Sequence, residues 1–303
     1  MPVFYWIVKA FLGPVIAVLW QPRAEGVENV PRQGPAIMVG NHLSFSDHFF
    51  GPLPLPRKIT FLAKAEYFTG TGPKGLLSRL FFTGVGQIPI DRSGGKSSEA
   101  ALRTGLKVLK QGRLLGIYPE GTRSPDGRLY RGRTGVARMA LESRAPVVPM
   151  AMINADKIMP PGRTLPKLGI RPKAVFGEPL DFSRYYGMEK DPRVLRAVTD
   201  EIMYALMELS GQEYVDRYAQ SVKSELDAAA KEEKKEQQAG EKERKRAERG
   251  GAGAESGKRR GTGTAALKGA LRRRRKKEPS ADTDTAPEEP DGRTSGNGPG
   301  AAA

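Results

Sequence analysis

An α/β domain, a mostly parallel sheet flanked by helices, is predicted by three observations on the 303-residue sequence. Short apolar runs alternate with amphipathic stretches beyond Pro31, the pattern of strands joined by crossover helices. Three polar clusters each follow an apolar run directly, the position at which α/β sheets place their sites. The apolar residues are also concentrated. Across residues 221–303 the only Val, Leu, Ile or Phe residues are Val222, Leu226, Leu267 and Leu271, and no aromatic occurs. Such a segment buries too little apolar surface to offset its chain entropy, so it is expected to be disordered or at most a solvated helix. The expected organisation is an apolar membrane-associated segment at residues 1–22, a folded domain at 23–220, and a basic low-complexity, largely disordered tail at 221–303.

Val3–Trp20 is the most apolar stretch of the chain and sits at the short edge of a transmembrane length. Lys9 interrupts it, and Gly13-Pro14 is expected to break or kink a helix. Two short helical halves lying in one leaflet are therefore expected, with Trp6 and Trp20 in the headgroup zone. The competing reading is a buried first helix of the core. The basic start and small-residue cleavage site of a signal peptide are not evident.

Strands are expected at 36–39, 59–63, 87–90, 114–118, 147–153 and 174–177, with helices near 45–50, 74–82, 97–110 and 135–144. In the third helix Ala101, Leu102, Leu106 and Leu109 recur at near-helical spacing, and Gly112 supplies a stop. Residues 74–82 mix basic and large apolar side chains, which suits either a membrane surface or a core helix with a basic edge. A last amphipathic helix carries Leu195, Val198, Ile202, Leu206 and Leu209 and ends near Gly211. The tail opens with a Lys/Glu-mixed stretch at 224–238 able to form i, i+4 pairs. It continues through a Gly/Ala-rich spacer to six consecutive basic residues at 272–277 and an acidic end.

The formal charge is +16, from 50 Lys+Arg against 34 Asp+Glu. Residues 1–220 carry 30 basic and 19 acidic side chains, or +11, and residues 221–303 carry 20 and 15, or +5. The basic character thus belongs to the body as well as the tail. It calls for an anionic partner: nucleic acid, a membrane surface, or an acidic substrate or carrier. The lack of cysteine excludes disulfide frameworks, zinc–thiolate sites, iron–sulfur clusters and thiol catalysis. With only His42 and His48 and dispersed carboxylates, no metal site is implied.

The first polar cluster, Asn41-His42-Leu43-Ser44-Phe45-Ser46-Asp47, follows the run Ala-Ile-Met-Val-Gly. Ser44 and Asp47 have capping-box spacing, which would start a helix at about Phe45 and let His42 and Asp47 turn toward each other. An imidazole oriented by a carboxylate is the apparatus of a general base. The pair alone also fits a helix cap beside a solvent-facing histidine. The second cluster, Gly86-Gln87-Ile88-Pro89-Ile90-Asp91-Arg92, places Arg92 at a strand exit, to grip a phosphate or pair with Asp91. The nearby Gly94-Gly95-Lys96-Ser97 is not a nucleotide P-loop, because Ile90 stands where that motif needs glycine. The third, Tyr118-Pro119-Glu120-Gly121-Thr122-Arg123-Ser124, offers a glycine for close approach, hydroxyls, and a planar bidentate donor for phosphate. All three should converge on one edge of the sheet.

Together these motifs resemble the glycerophosphate and lysophosphatidate acyltransferases, more broadly the lysophospholipid acyltransferases. NHLSFSD is similar to that family's N-H-x-S-x-x-D motif, GQIPIDR to its second block, YPEGTRS to its third with Tyr118 for the usual Phe, and VVPMA at 147–151 to its fourth. FLAKAEYF at 61–68 resembles the segment between the first two, and the likeness spans roughly residues 20–185. It implies a glycerolipid acyltransferase-like fold and direct acyl transfer without a covalent acyl-enzyme. His42, oriented by Asp47, would be the base. Arg92, Glu120, Gly121, Thr122 and Arg123, with Lys64 as a weaker candidate, would hold the phosphate of lysophosphatidic acid, giving phosphatidic acid. No cofactor is implied beyond the co-substrate, an acyl-CoA or acyl carrier protein thioester. The expected setting is an anionic membrane surface at the cytoplasmic face of the cell membrane, with no nucleic acid partner. His48 is expected to point off the motif as a surface or packing histidine. Competing readings are an enzyme of the same family with another lysophospholipid or glycolipid acceptor, and an inert basic protein that binds membranes or nucleic acid. The tail would either attach weakly to anionic lipid or have no role.

Overall fold

The computed structural model describes residues 2–90, 97–160, 163 and 165–258. Two compact units divide the chain, Met1–Ala239 and Gly240–Ala303. In order, the first half holds α1 (Pro2–Trp20), β1 (Arg23–Glu25), β2 (Ala36–Gly40), α2 (Asp47–Phe50), β3 (Ile59–Lys64), α3 (Glu66–Thr69), α4 (Gly72–Gly84), β4 (Ile88–Ile90) and α5 (Ser97–Lys110). There follow β5 (Leu114–Ile117), β6 (Leu129–Tyr130), α6 (Gly135–Ser143), β7 (Val147–Ile153), α7 (Ala155–Ile158), β8 (Lys173–Phe176), α8 (Pro192–Ser210), β9 (Tyr214–Val215) and α9 (Ala219–Lys258). In the second unit, residues 240–258 are helical. The basic run at 272–277 lies outside the described residues.

The main sheet has seven strands in the order β1-β8-β7-β2-β5-β3-β4. Every neighbouring pair in it is parallel except β7 with β8. This is the mostly parallel sheet expected, and its strands are the apolar runs. β2 lies at the centre, wholly buried, with Met38 opposite Gly116 of β5 and Val148 of β7. Its side chains alternate between two cores, as strand geometry requires. Ile37 and Val39 pack with residues of α5, α6 and α8, among them Leu102, Val136 and Ile202. Ala36 and Met38 face Phe50, Leu55, Phe61 and Ile16 on the other side. α8 shows why a helix forms where it does. Asp191 caps it by accepting from the backbone N–H groups of Arg193 and Val194, Pro192 opens it, and Gly211 closes it in the left-handed conformation at φ 67°.

The N-terminal segment departs from expectation. α1 is one continuous helix through Pro14, not two halves. A proline removes one N–H from the ladder, and the bonds on either side carry the helix past it. Lys9 also has a use: its ammonium donates to the carbonyls of Pro52 and Leu55, tying α1 to the loop after α2. Tyr5 and Ile16 are buried, whereas Phe11 and Val18 are 78% and 74% exposed. α4 packs beside α1, where Gly84 makes room for the Phe4 ring, and Leu76, Leu77 and Leu80 stay exposed. By length and composition α1 could cross a bilayer.

A second, two-stranded sheet pairs β6 with β9 in parallel. Behind it Ala219 and Val222 of α9 are buried against Tyr130, so the folded body reaches slightly past residue 220.

The tightest approach in the sheet is at Gly116. A Cβ there would lie 2.3 Å from Phe61 and 2.8 Å from Ile59. Gly116→Val is expected to destabilise the domain by about 1–3 kcal/mol, the usual cost of overpacking, read as a lower midpoint in urea unfolding.

Candidate active site

The site is assembled at the carboxyl ends of β2 and β5, neighbours in the sheet. Asn41, fully buried directly after β2, is bonded on both sides of its amide. Its Oδ1 accepts from Met152 N at 2.7 Å, and its Nδ2 donates to Met152 O at 3.0 Å and to Gln212 Oε1 at 2.6 Å. Gln212 in turn donates to Gly127 O at 2.6 Å, linking the β2 exit to the loop before β6. Sequence reading missed Gln212, because nothing local marks a residue 171 positions from its partner.

Beyond Asn41 the chain wraps around one carboxylate oxygen. Asp47 Oδ2 accepts from His42 Nδ1 at 2.9 Å and from Leu43 N and Ser44 N at 2.8 Å each. Only half of the expected capping box therefore forms: Asp47 reaches back, but Ser44 does not cap. Its hydroxyl donates to Met159 O and accepts from Ser46 N, and the helix starts at Asp47 instead of Phe45. Because Oδ2 serves as acceptor for all three groups, the imidazole proton belongs on Nδ1. The free lone pair is then at Nε2, on the far edge of the ring. Tyr118 fixes the ring plane by stacking on it, with centroids 4.0 Å apart and planes 12° apart.

The third cluster is laced to the first. Ser124 N donates to His42 O at 2.8 Å. Glu120 is buried, accepting from His42 N at 3.1 Å through one oxygen and from Tyr130 N at 2.9 Å through the other. It does not face the cavity as a phosphate-binding group would, and an anion has no reason to approach it. Burial is the main force pushing its carboxyl from the ordinary 4.5 up to about 7, against the two backbone hydrogen bonds. Gly121, Thr122 and Arg123 do line a cavity of about 350 Å³ together with His42. Its other walls include Phe45, Phe61, Phe82, Val136 and Met139, and Arg133 and Lys223 also reach it. Lys64 closes β3, but its side chain lies outside the described residues, and so does Arg92.

His48 does not point off the motif. Its ring sits 5.4 Å from that of His42 and 5.3 Å from Tyr118, and it lines the cavity. Burial, followed by electrostatic repulsion from His42 and Arg123, pushes its pKa down to about 3, so it stays neutral near pH 7. Among the described residues no cluster of His, Cys, Asp and Glu could hold a metal ion.

Known proteins are similar to this chain in sequence and in fold. Residues 21–153 match the family model described as Acyltransferase. A 1-acyl-sn-glycerol-3-phosphate acyltransferase of Bacillus subtilis is 31% identical over 187 residues, covering 61% of this chain and 86% of that protein. The chain belongs to the 1-acyl-sn-glycerol-3-phosphate acyltransferase family. The chloroplastic family member LPAT1 of Arabidopsis thaliana is 31% identical over 159 residues, or 52% of this chain. The chain spans less than half the length of this relative and of its Brassica napus counterpart, 43% and 44%. The crystal structure of the family's PlsC protein from Thermotoga maritima has the same fold, with a TM-score of 0.51 and 24% identity over 68% of this chain and 79% of that one. The family match includes the NHLSFSD and YPEGTRS segments, and it ends before α8, Gln212 and Lys223.

Glu120 gives the fold a pH dependence. The unfolded chain releases this proton near pH 4.5, whereas the folded chain holds it to about pH 7. Its contribution to stability is therefore complete below pH 4.5, declines as pH rises through that window, and is lost above it. In urea titrations at pH 4.5 and pH 7.5, wild type should lose stability relative to Glu120→Gln on going to the higher pH. Parallel curves for the two proteins would contradict the assignment.

Proposed function

We propose that this chain transfers a fatty acyl group from an acyl thioester to the free hydroxyl of 1-acylglycerol 3-phosphate, giving phosphatidic acid. One observation carries the reading: His42, held through Nδ1 by Asp47 at 2.9 Å, shares a cavity with Arg123 and a set of apolar side chains. A base, a phosphate-binding cation and a greasy wall are what a hydroxylated lipid phosphate requires.

In this mechanism His42 Nε2 takes the proton of the acceptor hydroxyl as its oxygen attacks the thioester carbonyl carbon. The tetrahedral intermediate collapses with cleavage of the carbon–sulfur bond, and the imidazolium returns its proton to the departing thiolate. The products are the ester and a free thiol, and no acyl group is ever bonded to the protein. Asp47 fixes the tautomer and stabilises the imidazolium. Tyr118 keeps the ring in plane, and Arg123 holds the phosphate as a bidentate donor. The apolar wall of Phe45, Phe61, Phe82, Val136 and Met139 receives acyl chain. Either acyl-CoA or acyl carrier protein satisfies this chemistry as donor.

The substrate being a lipid, the exposed apolar faces of α1 and α4 lie on a membrane in this reading, at its cytoplasmic face, with Lys9 keeping α1 fastened to the domain. An amphipathic docking helix of this kind binds by buried apolar area with help from anionic headgroups.

His42→Ala should lower transfer to 1-acylglycerol 3-phosphate by about 10²–10⁴-fold, the usual worth of a positioned base, with the circular dichroism spectrum unchanged. Assay with each donor in turn names the donor. Retained activity in the variant would defeat the mechanism, and no transfer by wild type from either donor would defeat the function. Separately, Phe11→Glu combined with Val18→Glu should release the protein from phosphatidylglycerol-containing vesicles in a sedimentation assay. Equal co-sedimentation of variant and wild type would remove α1 as the docking element.

A further inference from the structure

Some arginines of the folded unit pair with acids, some bond neutral groups as Arg57 and Arg113 do, and two line the cavity that holds His42. Arg128, Arg131, Arg138, Arg184, Arg196 and Arg217 are each paired with a carboxylate. Arg123 and Arg133, and with them Lys223, have no carboxylate partner among the described residues, and all three line the cavity that holds His42. No Asp or Glu side chain is among the described residues lining that cavity. Three cations with no acid between them repel one another, an arrangement that becomes favourable when an anion sits among them.

The fold holds these cations in place. Arg133 N donates to Pro119 O at 2.8 Å, and its side chain lies so close over Gly121 that a Cβ there would be 3.1 Å from Nε. The positive φ of Gly121, 75°, already favours glycine, and the guanidinium uses the space. Tyr218 supplies an aromatic face 5.3 Å from the Arg133 guanidinium carbon. Tyr218 directly precedes α9, whose Ala219 and Val222 are buried against Tyr130, and Lys223 is the next residue. Pairing of β6 with β9, extended by Arg131 N donating to Arg217 O at 3.0 Å, fixes this start of α9 beside the third cluster.

We infer that Lys223 and Arg133 complete, with Arg123, a phosphate-binding site inside the catalytic cavity, so that the first turns of α9 belong to the active site. The inference rests on the proposed function for the identity of the ligand, a phosphate group of a substrate. A phosphomonoester carries about −1.5 to −2 charge at pH 7 and matches several cations better than one. Both substrates offer such a group: the acceptor at its glycerol phosphate, and a CoA thioester on its nucleotide portion. The segment bearing Lys223 lies outside residues 21–153, so the site combines the family's matched region with a part of the chain beyond it.

The test uses the full chain with Lys223→Gln and, independently, Arg133→Gln. KM is measured for 1-acylglycerol 3-phosphate at saturating donor, and for an acyl-CoA at saturating acceptor. Each variant should raise one of these KM values about tenfold or more, the scale of a lost hydrogen bond to a charged group, with kcat changed less. A rise confined to the acceptor assigns the site to the glycerol phosphate, and a rise confined to the CoA thioester assigns it to the donor. In parallel, equilibrium binding of short-chain 1-acylglycerol 3-phosphate and of CoA is compared between His42→Ala and His42→Ala/Lys223→Gln. Weaker binding in the double variant, with wild type inactive in transfer, upholds the phosphate site and overturns only the proposed reaction. Unchanged KM values in both variants together with unchanged binding overturns the inference.

Discussion

Asp47 Oδ2 is the atom on which the site depends. Three donors converge on it, two from the backbone and one from the His42 ring, all within 2.9 Å. The two backbone bonds fold the segment between His42 and Asp47 into a turn tight enough to bring residues five apart in sequence face to face. The third bond then sets which imidazole nitrogen carries the proton. A carboxylate in this position thus does a folding task and a chemical task at once. Replacing it with an amide would keep the size and an oxygen acceptor for the two backbone N–H groups, but would remove the charge.

What keeps that turn where chemistry can use it is the parallel register of β2 and β5. Strands running in the same direction deliver their exits to the same edge, so NHLSFSD and YPEGTRS emerge side by side. Ser124 and Glu120 then bond the backbone of His42 from the neighbouring loop, and Tyr118 stacks on its ring. His42 is therefore held through its own N–H, its own carbonyl, its ring nitrogen and its ring face. Little of its freedom remains to be lost when a substrate binds, which is the structural meaning of preorganisation.

The strands that build this frame were legible because each buried run is continuous and apolar. Polar residues directly after those runs pointed to the right edge of the sheet. β1, β6 and β9 were not legible, since two or three residues carry no period. Pro14 misled in the usual direction: the helix continues through it, with Tyr5 and Lys9 before it and Ile16 after it holding α1 to the domain. Glu120 was misread for a subtler reason. An acidic residue inside a polar motif looks like a ligand-facing group, but sequence does not reveal which side chains of a motif turn inward, and this one satisfies two backbone donors. His48 was expected off the motif as a surface or packing histidine; it is indeed packed, but a short helical turn after the loop swings it back beside His42. Gln212 and Lys223 reach the site through the β6–β9 pairing and the helix that follows, a contact that no local pattern encodes.

The same reasoning changes how the net charge is understood. A body of +11 looks at first like a diffuse basic surface, yet six of its arginines are already neutralised in pairs at the surface, where each pair contributes little to stability. Arg123, Arg133 and Lys223 have no such pair among the described residues, and the cavity they line has no described acid. The apolar residues are sorted in a comparable way. His48, Phe61 and Gln87 stand between the cavity that holds His42 and a smaller one lined by Tyr5, Leu12 and Ile16 of α1, so the inner face of that helix and His42 line cavities that share these three walls. Its outer face, with Phe11 and Val18, is left bare. A helix anchored by Lys9 on one side and apolar on the other fits the proposed lipid substrate, whose phosphate must reach charge. The separation of greasy wall and cationic floor within one cavity is the arrangement such a substrate requires.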